Sequence, residues 1–223
     1  MHKELMYDSV FDAQEHFRIL LDCMARPGTV RVLPIAGLHP PEGLHPAAAL
    51  VGFALLNADV SFFASPLWQD YLRENTDAVA SDAPDADFLF VGGALLVDGE
   101  AAALIAQART GTLTYPEGGA TVVVCVERVA VSVGAAAAPA AAPHPAASTI
   151  PAADAAPTAA LVLSLTGPGI ERVNELSVLG LTAEFLETLR EQNREFPLGI
   201  DLILADAGGR IAAIPRSTKV QWD

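Results

Sequence analysis

The spacing of apolar residues near the N-terminus predicts an amphipathic helix. One helical face is formed by residues with i, i+3, i+4 and i+7 spacing, namely Phe17, Leu20, Leu21 and Met24. Asp12 and Glu15 have the spacing of a capping box, which predicts the start of the helix. Because Pro27 disfavours helical geometry in the residue before it, the helix should end near Arg26.

Later apolar runs predict an alternation of helices and strands. Helices are expected near 46–57, 98–109 and 182–194, and strands at 29–33, 59–64 and 87–93. Ser65-Pro66 has the pattern of an N-cap followed by proline at the first helical position. The β-branched run 120–133 should be central in a sheet, and 160–165 should resume that sheet. A hairpin of 200–206 with 210–215 should close through a glycine-bearing turn at 207–209.

These elements predict a single α/β domain over residues 1–223, built as a sandwich around a mixed sheet. Residues 134–160 differ in character, because alanine dominates and five prolines interrupt any helix. Alanine also offers too little apolar area to build a core. This stretch is therefore interpreted as a flexible, partly extended insertion within the domain.

Composition and charge narrow the classes of function. Apolar residues make up 52% of the chain and charged residues 18%, which is typical of a globular protein. The net charge of −14 disfavours nucleic-acid or anionic-membrane binding, since both need a basic field. Without a predicted spanning segment or signal-peptide pattern, a cytoplasmic location is expected. Cys23 and Cys125 stand among apolar neighbours and are interpreted as buried small hydrophobes.

Candidate catalytic motifs are weak. The turn "LTGPGI" (165–170), with Gly167 and Gly169, could hold a phosphate, but a purely structural turn is the better interpretation. His39, Glu42 and His45 form a conceivable surface metal site, although ordinary loop residues explain them better. No nucleophile elbow occurs. The chain has two lysines, Lys3 and Lys219, and neither is placed like a Schiff-base lysine. No catalytic residue, metal or cofactor is therefore predicted.

Three arginines and a lysine are the candidates for an anion or interface contact. Arg26 ends the first helix, Arg172 follows the glycine turn, and Arg216 and Lys219 stand in "PRSTKV". Arginine suits bidentate recognition of phosphate or phosphonate. Ion pairs on an ordinary surface are an equally good explanation of each.

Four stretches together resemble one family, the H subunits of the bacterial carbon–phosphorus lyase system for phosphonate use. They are "DAQEHFRILLDCMARPGTV" (12–30), "EGGATVVVCV" (117–126), "LSLTGPGI" (163–170) and "FPLGIDLILAD...IAAIPRSTKV" (196–220). The segment 134–160 departs from the family, whose members usually connect these strands by a short link.

The resemblance implies a three-layer α/β/α fold like that of pyridoxal-phosphate-dependent transferases, without the cofactor. It also implies a homodimer and a core complex with the G, I and J subunits of the same system. In that system, adenine of ATP is replaced by methylphosphonate to give ribose 1-methylphosphonate 5-triphosphate. The expected role is structural or substrate-handling, with a possible phosphonate or ATP-derived ligand. The alternative is a free-standing enzyme or binding protein for a small phosphorylated ligand.

Overall fold

The computed structural model describes residues 4, 6–34, 37–132 and 160–223. The predicted insertion at 134–160 lies outside the described residues, apart from Ala160. The helices are α1 (Phe11–Ala25), α2 (Pro46–Leu55), α3 (Pro66–Thr76), α4 (Ala94–Val97), α5 (Glu100–Ala106) and α6 (Ala183–Gln192). The strands are β1 (Arg31–Val32), β2 (Ser61–Phe63), β3 (Val79–Ala80), β4 (Phe88–Gly92), β5 (Thr121–Val126), β6 (Arg128–Val131), β7 (Leu161–Thr166), β8 (Asn174–Leu179), β9 (Asp201–Asp206), β10 (Arg210–Ile214) and β11 (Lys219–Trp222).

The strands form two sheets. A seven-stranded mixed sheet has the order β1-β10-β9-β5-β4-β2-β3, in which β9, β5, β4, β2 and β3 run parallel. The predicted hairpin of β9 and β10 forms one antiparallel pair of this sheet. A second, antiparallel sheet has the order β11-β7-β8-β6. The mixed α/β class with a large mixed sheet is confirmed.

The prediction that 120–133 and 160–165 lie in one sheet is wrong. The chain leaves the large sheet at Glu127, whose backbone N–H donates to Leu179 of β8 at 3.0 Å. β6 therefore pairs with β8 in the second sheet, and β7 joins the same sheet. The β-branched composition fits strands of either sheet, so the sequence did not show this break.

The large sheet is covered on both faces. Along β5, Val123 and Cys125 contribute to the core on one face, and Val122 and Val124 to the core on the other. Helices α1, α2 and α3 pack on the first face. Helices α5 and α6 pack on the second face together with side chains of the four-stranded sheet.

A buried carboxylate joins the two sheets. Asp206, at the end of β9, is 0% exposed and accepts the backbone N–H of Val129 in β6 at 3.2 Å. The same carboxylate receives Nε–H of Arg210 at 2.6 Å. Because a buried carboxylate is costly without such donors, Asp206 fixes the position of the second sheet against the first.

Helix α1 ends where the sequence predicts and begins differently. The predicted capping box of Asp12 and Glu15 is wrong: the N-cap is Val10, and Asp8 accepts the backbone N–H groups of Val10 and Phe11 at 2.8 and 2.9 Å. The helix runs to Ala25, with Arg26 as its C-cap. Its buried residues are His16, Leu20 and Cys23. Thr182 caps α6 as predicted, accepting the N–H of Phe185.

Candidate functional site

The glycine turn after β7 packs against the C-terminal end of α1. Gly169 has φ +79°, and a Cβ atom there would collide with the carbonyl oxygen of Ala25. Asn174 of β8 donates from Nδ2 to the carbonyl oxygen of Pro27 at 2.7 Å. This close approach requires glycine, because any side chain at 169 would separate the turn from the helix end.

The "PRST" segment reaches the same place from the C-terminal part of the chain. A Cβ atom on Gly167 would lie 2.9 Å from the carbonyl oxygen of Ser217. Thr218 donates its backbone N–H to Pro215 at 2.8 Å, and its Oγ1 atom is buried without a hydrogen-bond partner. We call residues 25–28, 167–169 and 215–218 the turn junction. Three of the four stretches that carry the family resemblance meet there.

Arg216 connects this junction to the fourth stretch. Its Nη2 atom donates to Oδ2 of Asp201 at 2.6 Å, and its Nη1 atom to the carbonyl oxygen of Pro116 at 2.6 Å. A longer contact of 3.3 Å joins Nη2 to the carbonyl oxygen of Gly119. The side chains of Arg216 and Asp201 are only 13% and 16% exposed. The arginine therefore holds the loop before β5 against the start of β9.

The predicted site residues fall into three groups. Gly167 and Gly169 lie in the turn junction, where close packing against backbone explains them. Arg26 is exposed and ion-paired with Asp22, and Arg172 and Lys219 are also exposed. Lys219 lies on β11, opposite Thr166 of β7. Among the proposed contact residues, Arg216 alone has its guanidinium largely enclosed by partners of this chain; its role in binding stays a prediction.

The two cysteines are buried, as the sequence predicts. Burial raises the pKa of Cys23 to about 11, against a smaller opposing effect of Arg31. Burial likewise raises the pKa of Cys125 to about 12, with the backbone N–H of His45 acting in the opposite direction. Both thiols therefore stay protonated near neutral pH, and neither is prepared as a nucleophile.

A buried polar group beside α1 has no signal in the sequence. The carboxylate of Glu4, 8% exposed, accepts the hydroxyl of Tyr71 and the backbone N–H of His39, both at 2.8 Å. Nearby, Tyr7 stacks on His16 with ring centroids 5.8 Å apart. The contact between Glu4 and Tyr71 attaches the segment before α1 to α3. Because these residues are far apart in the sequence, their spacing could not predict this contact.

The residues considered as a metal site have separate surroundings. Nδ1 of His45 lies 3.2 Å from the carbonyl oxygen of Ala205, and the carbonyl oxygen of Glu42 accepts Nε1–H of Trp68 at 3.0 Å. Among residues 4, 6–34, 37–132 and 160–223, no three histidine, cysteine or acidic side chains are grouped to hold a metal ion. Within the same ranges, no helix combines the length and apolar character needed to cross a membrane.

Comparison with known proteins decides the family. A family model described as "Bacterial phosphonate metabolism protein (PhnH)" matches residues 5–221. The chain belongs to the PhnH family. The resemblance predicted from the four stretches is thus confirmed, and the match includes the whole turn junction.

Two curated relatives extend this result. "Alpha-D-ribose 1-methylphosphonate 5-triphosphate synthase subunit PhnH" of Rhizobium meliloti is 30% identical over 220 residues, covering 96% of this chain and 92% of that protein. HtxG of Stutzerimonas stutzeri, named as a candidate C-P lyase subunit protein, is 31% identical over 211 residues. That alignment covers 93% of this chain and 85% of HtxG. Both relatives therefore align with this chain over most of their own length and most of its length.

The sequence missed Asp201 as the partner of Arg216 and Asp206 as the link between sheets. A usable signal existed for both, since the two acids flank the apolar run 202–205. A charged residue at the boundary of a buried strand commonly needs an internal partner. In this PhnH family member the partners are the two arginines of the same C-terminal stretch, Arg216 and Arg210.

Proposed function

We propose that this chain is an accessory subunit of a carbon–phosphorus lyase assembly in phosphonate catabolism, supporting formation of ribose 1-methylphosphonate 5-triphosphate. The observation that carries the proposal is the PhnH family match over residues 5–221. The relative from Rhizobium meliloti, aligned over 96% of this chain, is named as a subunit of the corresponding synthase. Binding and orientation of reactants can supply a large part of a rate enhancement without any acid or base.

The described side chains support an accessory role. Catalysis of nucleophilic substitution needs a positioned nucleophile with its base, a metal or a cofactor anchor. The buried thiols of Cys23 and Cys125 have raised pKa values. The enclosed cation Arg216 is engaged by Asp201 and two backbone carbonyl groups. These groups stabilise the fold of the chain, so we assign the chemistry to partner subunits.

Growth of a deletion strain tests this function. A strain lacking the gene, supplied with methylphosphonate as sole phosphorus source, should fail to grow and should recover when the gene returns. Phosphate-fed cultures of the same strain should grow normally. Purified chain incubated with ATP and methylphosphonate should release no adenine. Release of adenine by the chain alone would contradict the accessory role, and normal growth of the deletion strain would contradict the pathway.

The exposed cations are our candidates for partner or anion contact. Arg26 lies in the first segment of the turn junction, Arg172 follows its second segment, and Lys219 lies on the outer strand β11. We propose that the G, I and J subunits contact this chain through such residues. Arg26→Glu should weaken capture of these subunits, whereas Arg73→Glu, which changes another exposed ion-paired arginine, should leave capture unchanged.

The proposed fold relationship is to pyridoxal-phosphate-dependent transferases, without their cofactor. The cofactor part of this proposal is supported by Lys219, which is exposed on the edge of the second sheet, where a Schiff base would lie outside the core. Purified protein mixed with pyridoxal phosphate should develop no aldimine absorbance that depends on Lys219. A band removed by Lys219→Ala would contradict this part of the proposal.

A homodimer is the proposed state of the isolated chain. Phe17 and Leu21 on α1 are 48% and 56% exposed, and Val32 on the edge strand β1 is 61% exposed. Exposed apolar side chains beside an unpaired strand edge favour self-association. Helix α2 does not add to this surface, because Ala47 to Phe53 are buried. Light scattering should give twice the 23.2 kDa chain mass, and Leu21→Glu should give the monomer.

A further inference from the structure

A groove lies at the carboxyl ends of two neighbouring parallel strands, β2 and β4. It has a volume of about 440 Å³, and its walls include Phe63 at the end of β2, Leu95 of α4 and Leu104 of α5. Ser65, Glu100 and Gln107 add polar groups to an otherwise apolar lining. No residue of the proposed function or of the turn junction lines it.

The topology explains why a groove opens at this place. The connection after β2 passes through α3 to β3 at the sheet edge, on the face covered by α1 and α2. The connection after β4 passes through α4 and α5 to β5, in the opposite direction and on the opposite face. Adjacent parallel strands whose connections diverge in this way leave a crevice, and α/β proteins bind ligands in such crevices.

The lining defines the chemistry of a ligand. Glu100 is the one charged residue among those lining the groove, so an anionic group such as a phosphate is disfavoured inside it. The carboxylate of Glu100 accepts hydrogen bonds. Gln107 uses one of its two Nε2–H donors on the carbonyl oxygen of Ala103 at 3.0 Å, and its side-chain oxygen stays available as an acceptor. Apolar walls with acceptors at the rim suit a flat, uncharged ring that carries N–H donors.

We propose that this groove binds a nucleobase, with the ring between Phe63 and Leu104 and its N–H groups directed to Glu100 and Gln107. Its volume falls within the usual range of small-molecule sites, about 300–1,000 Å³. The hydroxyl of Ser65 makes no cap hydrogen bond to α3 and can donate to a ring nitrogen. The choice of a nucleobase rests on the proposed function, because C1 of the ribose product named for the relative is the position that a base occupies in a nucleotide.

Binding of free adenine by the full chain, measured by calorimetry and by ligand-observed NMR, tests the proposal. Ala103 lines the groove and is exposed on α5, so Ala103→Phe should fill the groove without entering the core. This variant should bind adenine about tenfold more weakly or worse. Ala106→Phe, an exposed position of the same helix outside the lining, should bind like wild type. Glu100→Gln should also weaken binding, while tripolyphosphate should not displace adenine.

Absence of adenine binding, equal binding by Ala103→Phe, or displacement by tripolyphosphate would each overturn the nucleobase site. The growth test separates this result from the proposed function. A chain that restores growth on methylphosphonate but binds no adenine overturns the groove proposal alone. A chain that binds adenine in the groove but is not needed for growth overturns the proposed function alone.

Discussion

The guanidinium of Arg216 and the carboxylate of Asp201 form a largely enclosed ion pair, with Nη2 2.6 Å from Oδ2 and the Arg216 backbone N–H 2.8 Å from Oδ1. The pair connects the segment after β10 to the start of β9. Through Pro116 and Gly119 it also holds the loop that precedes β5. One arginine thus stabilises three separate parts of the chain.

Loss of this arginine should destabilise the fold. Arg216→Ala leaves the enclosed carboxylate of Asp201 with the backbone N–H of residue 216 but without its guanidinium, and breaking such a pair typically costs about 3–5 kcal/mol. Urea unfolding should show this loss. Arg194→Ala removes an ion pair whose two side chains are 66% and 67% exposed, and should cost less than about 1 kcal/mol. Equal, small effects of the two variants would contradict the structural role of Arg216.

The packing of the glycine turn against the C-terminal end of α1 can be tested by comparing the stability of two glycine variants. Gly169→Ala introduces both a positive-φ residue, costing about 1–2 kcal/mol, and a collision with Ala25. Gly93→Ala introduces a residue at φ +59° with no atom within 4 Å of the new Cβ, so it carries the backbone cost alone. The thermal midpoint should fall further for Gly169→Ala. The same fall for both variants would show that the turn does not press on the helix end.

Stability should decrease as the pH falls through the titration of His16. Burial lowers the pKa of this 3% exposed side chain below its ordinary value of 6.5, while the carbonyl of Pro34 and the charges of Asp12 and Glu15 oppose the shift. The unfolded chain therefore binds the proton first, so the contribution of His16 to the free energy of unfolding is fully present above about pH 6.5 and is lost as the pH falls below it.

Replacement of this histidine gives the measurement. His16→Gln should flatten the slope of unfolding free energy between about pH 7.5 and 5, the range around an ordinary histidine pKa. His39→Gln changes a side chain that is 72% exposed and should keep most of the slope. An unchanged slope in His16→Gln would exclude His16 as the source.

The segment 134–160 should be dispensable for folding. Its ends are anchored by Ser132, which donates to Glu175 of β8, and by Leu161, which is opposite Val178 of the same strand. β6 and β7 flank β8, so their separation is about 10 Å, and a link of about a dozen residues can cross. Replacing the segment by such a Gly-Ser link should change the thermal midpoint by a few degrees. A large fall would show that the segment stabilises the domain.

The sequence predicts secondary structure better than it predicts how strands are assigned to sheets. Helix α2 and the hairpin of β9 and β10 follow directly from apolar runs with turn residues at their ends. The strand β8 was not predicted, because its residues 174–179 mix polar and apolar side chains without a clear boundary. The break at Glu127 depends on pairing with a distant strand, which local patterns cannot show.

The sequence allowed the motifs of the candidate site to be recognised, but it did not show how these motifs contact one another in space. The glycines at 167 and 169 and the "PRST" segment were recognised from their unusual local composition. Their meeting with Ala25 depends on contacts between residues more than a hundred positions apart. The partner of Arg216 was also missed, although Asp201 is only 15 positions away and its place at the start of an apolar strand was a usable signal.

Affinity capture of the tagged chain from its native host, grown on methylphosphonate, tests the central claim most directly. The account predicts that the chain elutes in a stable assembly with further phosphonate-utilisation subunits identified by mass spectrometry, in fixed ratios that survive gel filtration. The Arg26→Glu variant, carrying the same tag and expressed at the same level as the wild-type chain, should recover less of those subunits. Elution of the wild-type chain by itself, together with turnover of ATP and methylphosphonate by that fraction, would contradict the account.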